Sequence, residues 1–386
     1  MNPLYLLIAL TTLMHVAFVG SRLAISLYAI HLQASPATIG MLGALIAIPG
    51  VLSSVAVGRW IDSKGPRQPM LLSTIMMTAG CVLAFIWRDL AALFIVSAVV
   101  GAAYNMFFVA NQQLIGLYGS PKDRVRNISL AAQGFAVGNL TGPLIAGFAI
   151  DGFGHPVALL LLAAAPLFPA LIVGLDKLKF PAAATVHRRG VGQSGMGSLM
   201  ELLRMNDLRR VYIMSLIFQA SWNLYVFLMP IFGTQIGLSA SSIGLVLGSF
   251  SMASISVRAF VPLISRRFTS WQLLLISFVM SSLSLIAIPF CESQAPLMAL
   301  SFWLGMGMGV CGPIAIALVH EASPPERIGE VVGLRITMVS ATQATVPLVA
   351  GALSATLGMG PMFLVLAASL IIGSYSARRQ WNAHKS

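Results

Sequence analysis

Long apolar stretches alternate with short polar breaks along the chain. A helix needs about 20 mostly apolar residues to cross the hydrocarbon core of a bilayer. Stretches of that kind recur six times before a long polar segment and six times after it. We predict spans 1 to 12 at residues 4–29, 38–58, 70–87, 90–115, 127–150, 156–175, 210–232, 239–263, 271–290, 296–319, 331–355 and 361–377. The pattern predicts an all-α membrane protein with 12 transmembrane helices in two six-helix bundles, 1–175 and 208–386, joined by a cytoplasmic linker, 176–207.

The basic residues indicate how these spans are oriented. Lysine and arginine collect in the breaks after the even-numbered spans, in the linker and after the last span, whereas the breaks on the other side contain only Arg88. The positive-inside rule therefore predicts that both termini are cytoplasmic. We interpret the first apolar run as a retained span and not as a signal peptide. The expected location is a bacterial-type inner membrane, crossed many times.

Composition narrows the class of protein. Of the 386 residues, 58% are hydrophobic and 9% are charged, against about 25% charged in soluble domains. The net charge of +12 does not indicate a nucleic-acid partner, because the basic residues are confined to loops. The three cysteines form no CxxC or Cys/His cluster, so we expect no metal and no cofactor. A nucleophile, a metal cluster or paired carboxylates at membrane depth would be needed for an enzyme, and we expect none.

An internal repeat with an offset of 204 residues relates the two halves. It aligns Ser35–Gly40 with Ser239–Gly244, and it aligns Gly101 with Gly305. The same offset aligns the span 5 segment that begins at Pro143 with the span 11 segment that begins at Pro347. Two halves in the same orientation predict a pseudo-twofold axis along the membrane normal. This arrangement suits alternating access, with a substrate site near the midplane where the halves meet.

Two motifs carry a resemblance to a known family. The loop after span 2 has Gly58, Asp62, Gly65 and Arg67 in the positions of the loop 2–3 motif of the major facilitator superfamily, and the chain resembles that superfamily over essentially its full length. The second motif lies in span 5 and is similar to the G-x-x-x-G-P-x-x-x-G motif of exporters in the 12-helix drug:proton antiporter branch. Its members here are Gly138, Gly142, Pro143 and Gly147.

The chain departs from the antiporter branch in two ways. Where span 4 usually has an arginine, this chain has Ser97. Spans 1, 4, 7 and 10 contain no aspartate or glutamate, so the usual carboxylate for proton coupling is missing.

The resemblance also implies conformational roles. It implies that Asp62 docks against the N-terminus of span 11, near 329–333, where free N–H groups and the helix dipole favour a carboxylate. Such a clasp would stabilise the state closed to the cytoplasm, and the alternative is an ordinary positive-inside turn. The motif residues of span 5 predict close packing, and we expect span 8 as the neighbour. Arg335 is interpreted first as a structural or gating charge.

Span 1 has a polar face formed by Thr11, His15, Arg22 and Ser26, which lie within about 60° of one another on a helix. Because a lipid-facing arginine is unfavourable, this face should line a cavity or the bundle interior. Arg22 is a candidate anchor for an anionic group, and the alternative is a structurally paired or snorkelling arginine. His15 is a candidate proton carrier, and the alternative is a neutral interior histidine.

Comparable polar and aromatic residues lie along spans 4 and 7. In span 4 they include Tyr104 and Asn105, and in span 7 they include Gln219, Trp222 and Asn223. The resemblance implies that spans 1, 4 and 7 line the cavity. We therefore predict that these residues, with His15 and Arg22, form a polar substrate-binding chamber.

The predicted function is secondary active transport by alternating access. We predict efflux of a small organic metabolite, siderophore or drug, anionic and coupled to protons. Uptake of an organic anion is an open alternative, because Arg22 fits it equally well, and a lipid flippase would need a less polar cavity. The expected partners are the small-molecule substrate, the lipid bilayer and protons, with no nucleic acid, and the expected state is a monomer.

Overall fold

The structure, a computed structural model, describes residues 3–118, 124–178, 196–324 and 327–383, and these residues form helices joined by short loops. The α-helices are α1 (Pro3–His31), α2 (Pro36–Lys64), α3 (Arg67–Ile86), α4 (Leu90–Leu117), α5 (Arg124–Phe153), α6 (His155–Leu162), α7 (Ala164–Gly174), α8 (Met196–Arg204), α9 (Asn206–Gln235), α10 (Ala240–Ile264), α11 (Ser270–Ala287), α12 (Gln294–Ala322), α13 (Ile328–Leu357) and α14 (Met359–Ala383). A 3₁₀ segment, Ile288–Phe290, extends α11.

The all-helical, multi-span prediction is confirmed. Within the described residues, 11 helical segments are long and apolar enough to cross a membrane, one of them made of α6 and α7 together. The predicted span 127–150 falls within α5, which is not among the 11 although its 30 residues exceed the roughly 20 that a span needs. Polar residues such as Asn127, Gln133 and Asn139 lower its mean hydropathy.

Among its described residues, the predicted linker contains one helix that the apolar pattern did not indicate. Helix α8 occupies residues 196–204, and its Glu201 carboxylate lies 2.9 Å from Arg327 at the start of α13. Arg327 also pairs with Glu330 at 2.9 Å. The basic cluster at 187–190 lies outside the described residues.

The chain forms two compact units. Unit 1 consists of residues 1–187 with 233–248, and unit 2 consists of 188–232 with 249–386. The division therefore differs from the predicted bundles at 233–248, where the end of α9 and the first part of α10 group with unit 1. The predicted bundle boundaries themselves stay a prediction.

The internal repeat is visible in how the helices pack inside each unit. In unit 1, a Cβ added to Gly101 of α4 would collide with the backbone carbonyl of Ile46 in α2. In unit 2, a Cβ added to Gly305 of α12 would collide with the backbone carbonyl of Phe250 in α10. Phe250 is the position 204 residues after Ile46, so both pairs of helices meet at the same register. Glycine is required there because the backbones are in contact.

Candidate functional site

A polar cluster lies where α1, α4 and α5 meet in unit 1. The Nδ1 atom of His15 lies 2.7 Å from the Tyr104 hydroxyl, and its Nε2 atom lies 3.3 Å from Oδ1 of Asn139. His15 is 8% exposed. Space for the ring comes from α5, because a Cβ added to Gly138 would lie 2.7 Å from Cδ2 of His15. Both ring nitrogens therefore have polar neighbours inside the unit.

Aromatic rings surround this cluster. The rings of Phe18 and Tyr104 stack with centroids 3.7 Å apart and planes 9° apart. Phe135 meets the His15 ring edge-on at 5.1 Å, and Phe108 lies 5.7 Å from Phe135. All four aromatic side chains are half-buried. The cluster therefore combines a hydrogen-bonding imidazole and phenol with flat apolar surface, a combination typical of sites for small organic molecules.

A second polar pair lies one helical turn before His15. The Thr11 hydroxyl lies 2.7 Å from Oδ1 of Asn111 in α4, and both side chains are buried. Among the described residues, the Asn111 amide nitrogen has no hydrogen-bond partner. The polar face predicted for span 1 therefore contacts α4 at two successive turns.

Asn105, although adjacent to Tyr104, has a different neighbour. Its amide nitrogen donates to the Ser53 hydroxyl at 3.4 Å, and its Oδ1 accepts from Ser54 at 3.1 Å, which ties α4 to α2. Asn105 also fills the space over Gly50, where an added Cβ would lie 3.3 Å from the amide group. The structure thus gives Asn105 a helix-packing position away from His15.

Arg22 lies two helical turns beyond His15 on α1, at a rise of about 10 Å. Its side chain is half-buried. Within the described part of the chain, no side chain pairs with its guanidinium, and its backbone carbonyl accepts from the Ser26 hydroxyl at 3.1 Å. Arg22, Arg258 and Arg335 lie inside predicted spans, whereas all 11 acidic residues of the chain lie outside them. The predicted spans therefore carry positive charge without a matching carboxylate.

Unit 2 has its own polar contacts, between α9 and α13. Gln219 donates to Asn223 at 3.4 Å, and Asn223 donates to the Thr342 hydroxyl at 3.2 Å. Two turns earlier on α13, Arg335 donates to the Ser215 hydroxyl at 3.4 Å. Gln219, Asn223 and Arg335 therefore lie along one line of contact.

Trp222 faces a different neighbour, because its ring packs edge-on against Phe250 of α10 at 4.5 Å. The predicted residues of span 7 are thus divided between two helix contacts.

The loop motif after α2 has well-defined contacts within unit 1. Asp62 accepts a long hydrogen bond of 3.4 Å from Gln113 of α4. Gly65 ends α2 with φ +81°, which only glycine adopts readily, whereas a Cβ added to Gly58 would have no neighbour within 4 Å. Docking of Asp62 on span 11 stays a prediction.

Arg67 caps the C-terminus of α7. It donates to the carbonyl oxygens of Val173 at 3.4 Å and Gly174 at 3.1 Å, and it pairs with Asp176 at 3.5 Å. The free carbonyls at a helix end favour a cation. Arg67 therefore ties the start of α3 to the end of span 6.

The glycines of the span 5 motif face two neighbours. Gly138 and Gly142 face α1, where a Cβ on Gly142 would lie 3.0 Å from the Val16 carbonyl oxygen. Only the Pro143–Gly147 end faces α10, which is span 8, and there Gly147 meets the backbone of Ala240. The expected packing against span 8 thus holds for one end of the motif.

Sequence reasoning missed several residues of these contacts. Asn139 lies inside the glycine motif of span 5, between Gly138 and Gly142. Phe18 lies one turn before Arg22 on the polar face of α1. Thr342 follows Arg335 by seven residues, so the spacing that was applied to span 1 would also have placed it on the face of Arg335.

Comparisons with known proteins support a transporter. The family model of the Major Facilitator Superfamily matches residues 6–344 and 211–380. The multidrug resistance protein MdtG of Dickeya zeae (strain Ech586) is 23% identical, over 88% of this chain and 85% of that protein. The human vesicular acetylcholine transporter is 30% identical over 38% of this chain and 28% of its own length.

Solved structures show the same fold. The nucleoside transporter NupG has a TM-score of 0.80 at 14% identity, covering 99% of both chains. A bacterial homologue of the human lysosomal transporter Spinster, in an inward-facing and unoccupied conformation, has a TM-score of 0.77 at 14% identity, covering 97% of this chain and 96% of its own. With the family model matching nearly the whole chain, the protein belongs to the Major Facilitator Superfamily, a family of membrane transporters.

Proposed function

We propose that this transporter exports small organic anions across the inner membrane, with both termini in the cytoplasm. The observation that carries the proposal is Arg22, a half-buried guanidinium on the same face of α1 as His15 and without a described partner. A desolvated charge of this kind is unfavourable unless a ligand neutralises it. Because no acidic residue of the chain lies inside a predicted span, the neutralising group is best supplied by the substrate.

The surroundings of Arg22 support an amphipathic substrate. Phe18 precedes Arg22 by four residues, so the two side chains are neighbours on the helix surface, and Phe18 stacks on Tyr104. A flat apolar body with one anionic group would satisfy both side chains. This pairing disfavours lipid flipping, for which a long apolar path would suit two acyl chains better.

The direction of transport rests on the relatives and on span 5. The MdtG proteins, named for multidrug resistance, align over more than four-fifths of their own length, and span 5 carries the exporter-type glycine motif. Uptake of an organic anion is the second candidate, since Arg22 fits it equally well. For proton coupling, His15 is the candidate carrier, because imidazole is the side chain that titrates near neutral pH.

The test uses two probes with the same aromatic body and opposite charge, naphthalene sulfonate and naphthyl-trimethylammonium. Inside-out vesicles should accumulate the sulfonate when a proton gradient is imposed, and should exclude the cation. Arg22→Gln should lower sulfonate transport about 10- to 100-fold, which corresponds to one hydrogen-bonded charge, and Arg22→Lys should retain part of it.

The control is Arg88→Gln, because the exposed Arg88 donates to the Phe85 carbonyl and lies over the Phe85 ring, both within its own turn of the chain. It should transport normally. Accumulation in right-side-out vesicles alone would replace export by uptake, and unchanged transport by Arg22→Gln would refute the anion site.

A further inference from the structure

Asp151, near the end of α5, binds the start of another helix. Its carboxylate accepts hydrogen bonds from the backbone N–H groups of Ala240 at 3.0 Å and Ser241 at 2.8 Å, the first two residues of α10. The third N–H group, on Ser242, donates to the Ser239 hydroxyl at 3.2 Å. The first amides of a helix lack partners within the helix and favour a negative charge. Asp151 therefore completes the N-terminal cap of α10 from a distant part of the sequence.

The two helices are also in backbone contact beside this carboxylate. A Cβ added to Gly147 would collide with the carbonyl of Ala240, and one added to Gly244 would lie 2.6 Å from the carbonyl oxygen of Pro143. A side chain at either position would force the helices apart. The Asp151 contact thus lies at the end of a tightly packed line between α5 and α10.

The repeat shows that this contact is specific to one half of the chain. Ser35, the repeat counterpart of Ser239, caps α2 by accepting from the Thr38 amide at 3.2 Å. The next residue of α2 is Pro36, which has no N–H group and needs no acceptor. Its counterpart in α10 is Ala240, whose N–H group Asp151 binds, while the position 204 residues after Asp151 is Ala355. The backbone N–H group and the carboxylate are therefore both present where α5 meets α10, and both are absent at the equivalent positions, Pro36 and Ala355.

Helix α10 is divided between the two units at this place. Residues up to Gly248 group with unit 1, and residues from Ser249 onward group with unit 2. The part held by Asp151 and α5 is thus the first part of a helix whose remainder belongs to the other unit. If the units move separately during transport, either α10 bends near Gly248 or its packing on α5 changes.

We propose that Asp151 and the first two amides of α10 form a clasp that closes the non-cytoplasmic end of the transporter and opens once in every transport cycle. The predicted topology puts the end of span 5 and the start of span 8 on that side. The proposal concerns movement and does not depend on which substrate is carried.

The clasp is intact at neutral pH. Burial alone would raise the pKa of the Asp151 carboxyl, but the hydrogen bonds from Ser241, Ser239 and Ala240 outweigh burial and lower this pKa below its ordinary value. The stabilisation is therefore present above the ordinary carboxyl pKa and is lost only as the pH falls through the lowered pKa. His155 interacts electrostatically with Asp151 and stacks on His31 at 4.6 Å.

Two variants break the clasp from opposite sides. Asp151→Ala removes the acceptor, and Ala240→Pro removes one donor while suiting the first position of a helix. The matched control is Asp89→Ala, because Asp89 caps only its own helix, α4, by accepting from Ala91 at 2.9 Å. Loss of a helix cap predicts about three- to tenfold faster hydrogen exchange at the Ser241 amide in both clasp variants, and no change in the control.

Opening of the clasp is measured with a cysteine introduced at a buried position. Ile243 is 1% exposed, and the native cysteines in the described residues are buried. In an Ile243→Cys background, Asp151→Ala should raise the labelling rate by an impermeant maleimide added outside about three- to tenfold. Turnover of naphthalene sulfonate per folded molecule should change in both clasp variants and not in Asp89→Ala.

The outcomes separate this proposal from the proposed function. If exchange and labelling do not accelerate, or if they accelerate while turnover stays at the wild-type value, the clasp is not a step of the cycle. If wild-type vesicles do not carry the sulfonate at all, the anion-export proposal fails, and exchange and labelling still decide whether the clasp exists and opens.

Discussion

The two units repeat one pattern of helix packing but not the chemistry of its side chains. Gly101 of α4 lies against a backbone carbonyl of α2, and Gly305 of α12 lies against a backbone carbonyl of α10, the equivalent helix of the repeat. At other equivalent positions the residues differ, since His15 corresponds to Gln219 and Asn105 corresponds to Gly309. The comparison teaches that a residue is restricted to glycine where it meets a backbone, as at Gly101, Gly305 and Gly309, whereas positions without such a contact can diverge and acquire separate roles.

We expect the largest effect from substitutions that break the helix packing shared by the two units. Gly101→Ala and Gly305→Ala should each destabilise the protein by about 3 kcal/mol or more, because the new methyl group meets a backbone carbonyl that cannot change rotamer. Thermal unfolding of the purified protein in detergent should show a loss of several degrees or no folded protein. Gly312→Ala on α12 is the control, since an added Cβ has no neighbour within 4 Å there. Equal stability of Gly305→Ala and Gly312→Ala would show that the close contact is not real.

The second prediction makes unit 1 chemically like unit 2. His15→Gln replaces the titratable ring that lies 2.7 Å from Tyr104 with the residue found at the equivalent position of α9. If His15 carries the proton, substrate-evoked proton movement in proteoliposomes should fall at least about tenfold, because an amide does not titrate near neutral pH. Substrate binding, followed by thermal stabilisation with the probe, should persist. Proton movement of wild-type size in this variant would remove His15 from the coupling mechanism.

The fold could be predicted from the sequence because a membrane-spanning helix has to be long and apolar. Length and apolarity alone identified the spans, and only α5 falls short of the apolarity of the others because it carries residues such as Asn127 and Asn139. The constant offset between Gly101 and Gly305 likewise pointed to equivalent packing. Both signals are averages over many residues, so single substitutions hardly disturb them.

The site could be predicted less completely from the sequence, because contacts between helices depend on how each helix is rotated about its own axis. The sequence placed Asn105 beside Tyr104, but adjacent helical residues point about 100° apart, and Asn105 bonds to α2. The predicted spans likewise leave Asp151 in the break after span 5, and nothing in its sequence neighbourhood identifies the amides of Ala240 and Ser241 as partners. Pairings across 89 or 90 residues require the packed structure.

A smaller effect tests a bond that only unit 2 has. The Tyr225 hydroxyl donates to the Ser301 hydroxyl at 2.7 Å, and both side chains are buried. Tyr225→Phe should destabilise the protein by about 1 kcal/mol, the usual net value of a buried hydrogen bond. The control is Tyr375→Phe, because Tyr375 is 69% exposed. Equal melting temperatures for the two variants would mean that the Tyr225 bond contributes nothing to stability.

The smallest effect concerns the counterpart of that bond in unit 1. Ser97 corresponds to Ser301, but position 21, the counterpart of Tyr225, is a serine, and among the described residues the buried Ser97 hydroxyl has no hydrogen-bond partner. Ser97→Ala should therefore be neutral or stabilise the protein by up to about 1 kcal/mol, because an unsatisfied buried hydroxyl is unfavourable.

Ser301→Ala provides the comparison for Ser97→Ala. It should destabilise the protein by about 1–3 kcal/mol, because it leaves the Tyr225 hydroxyl buried without its acceptor. Opposite signs in the two melting temperatures would show that two serines at equivalent positions differ only through their partners. A loss of stability in Ser97→Ala as large as that in Ser301→Ala would mean that Ser97 has a partner of its own, and the difference between the units at this position would not exist.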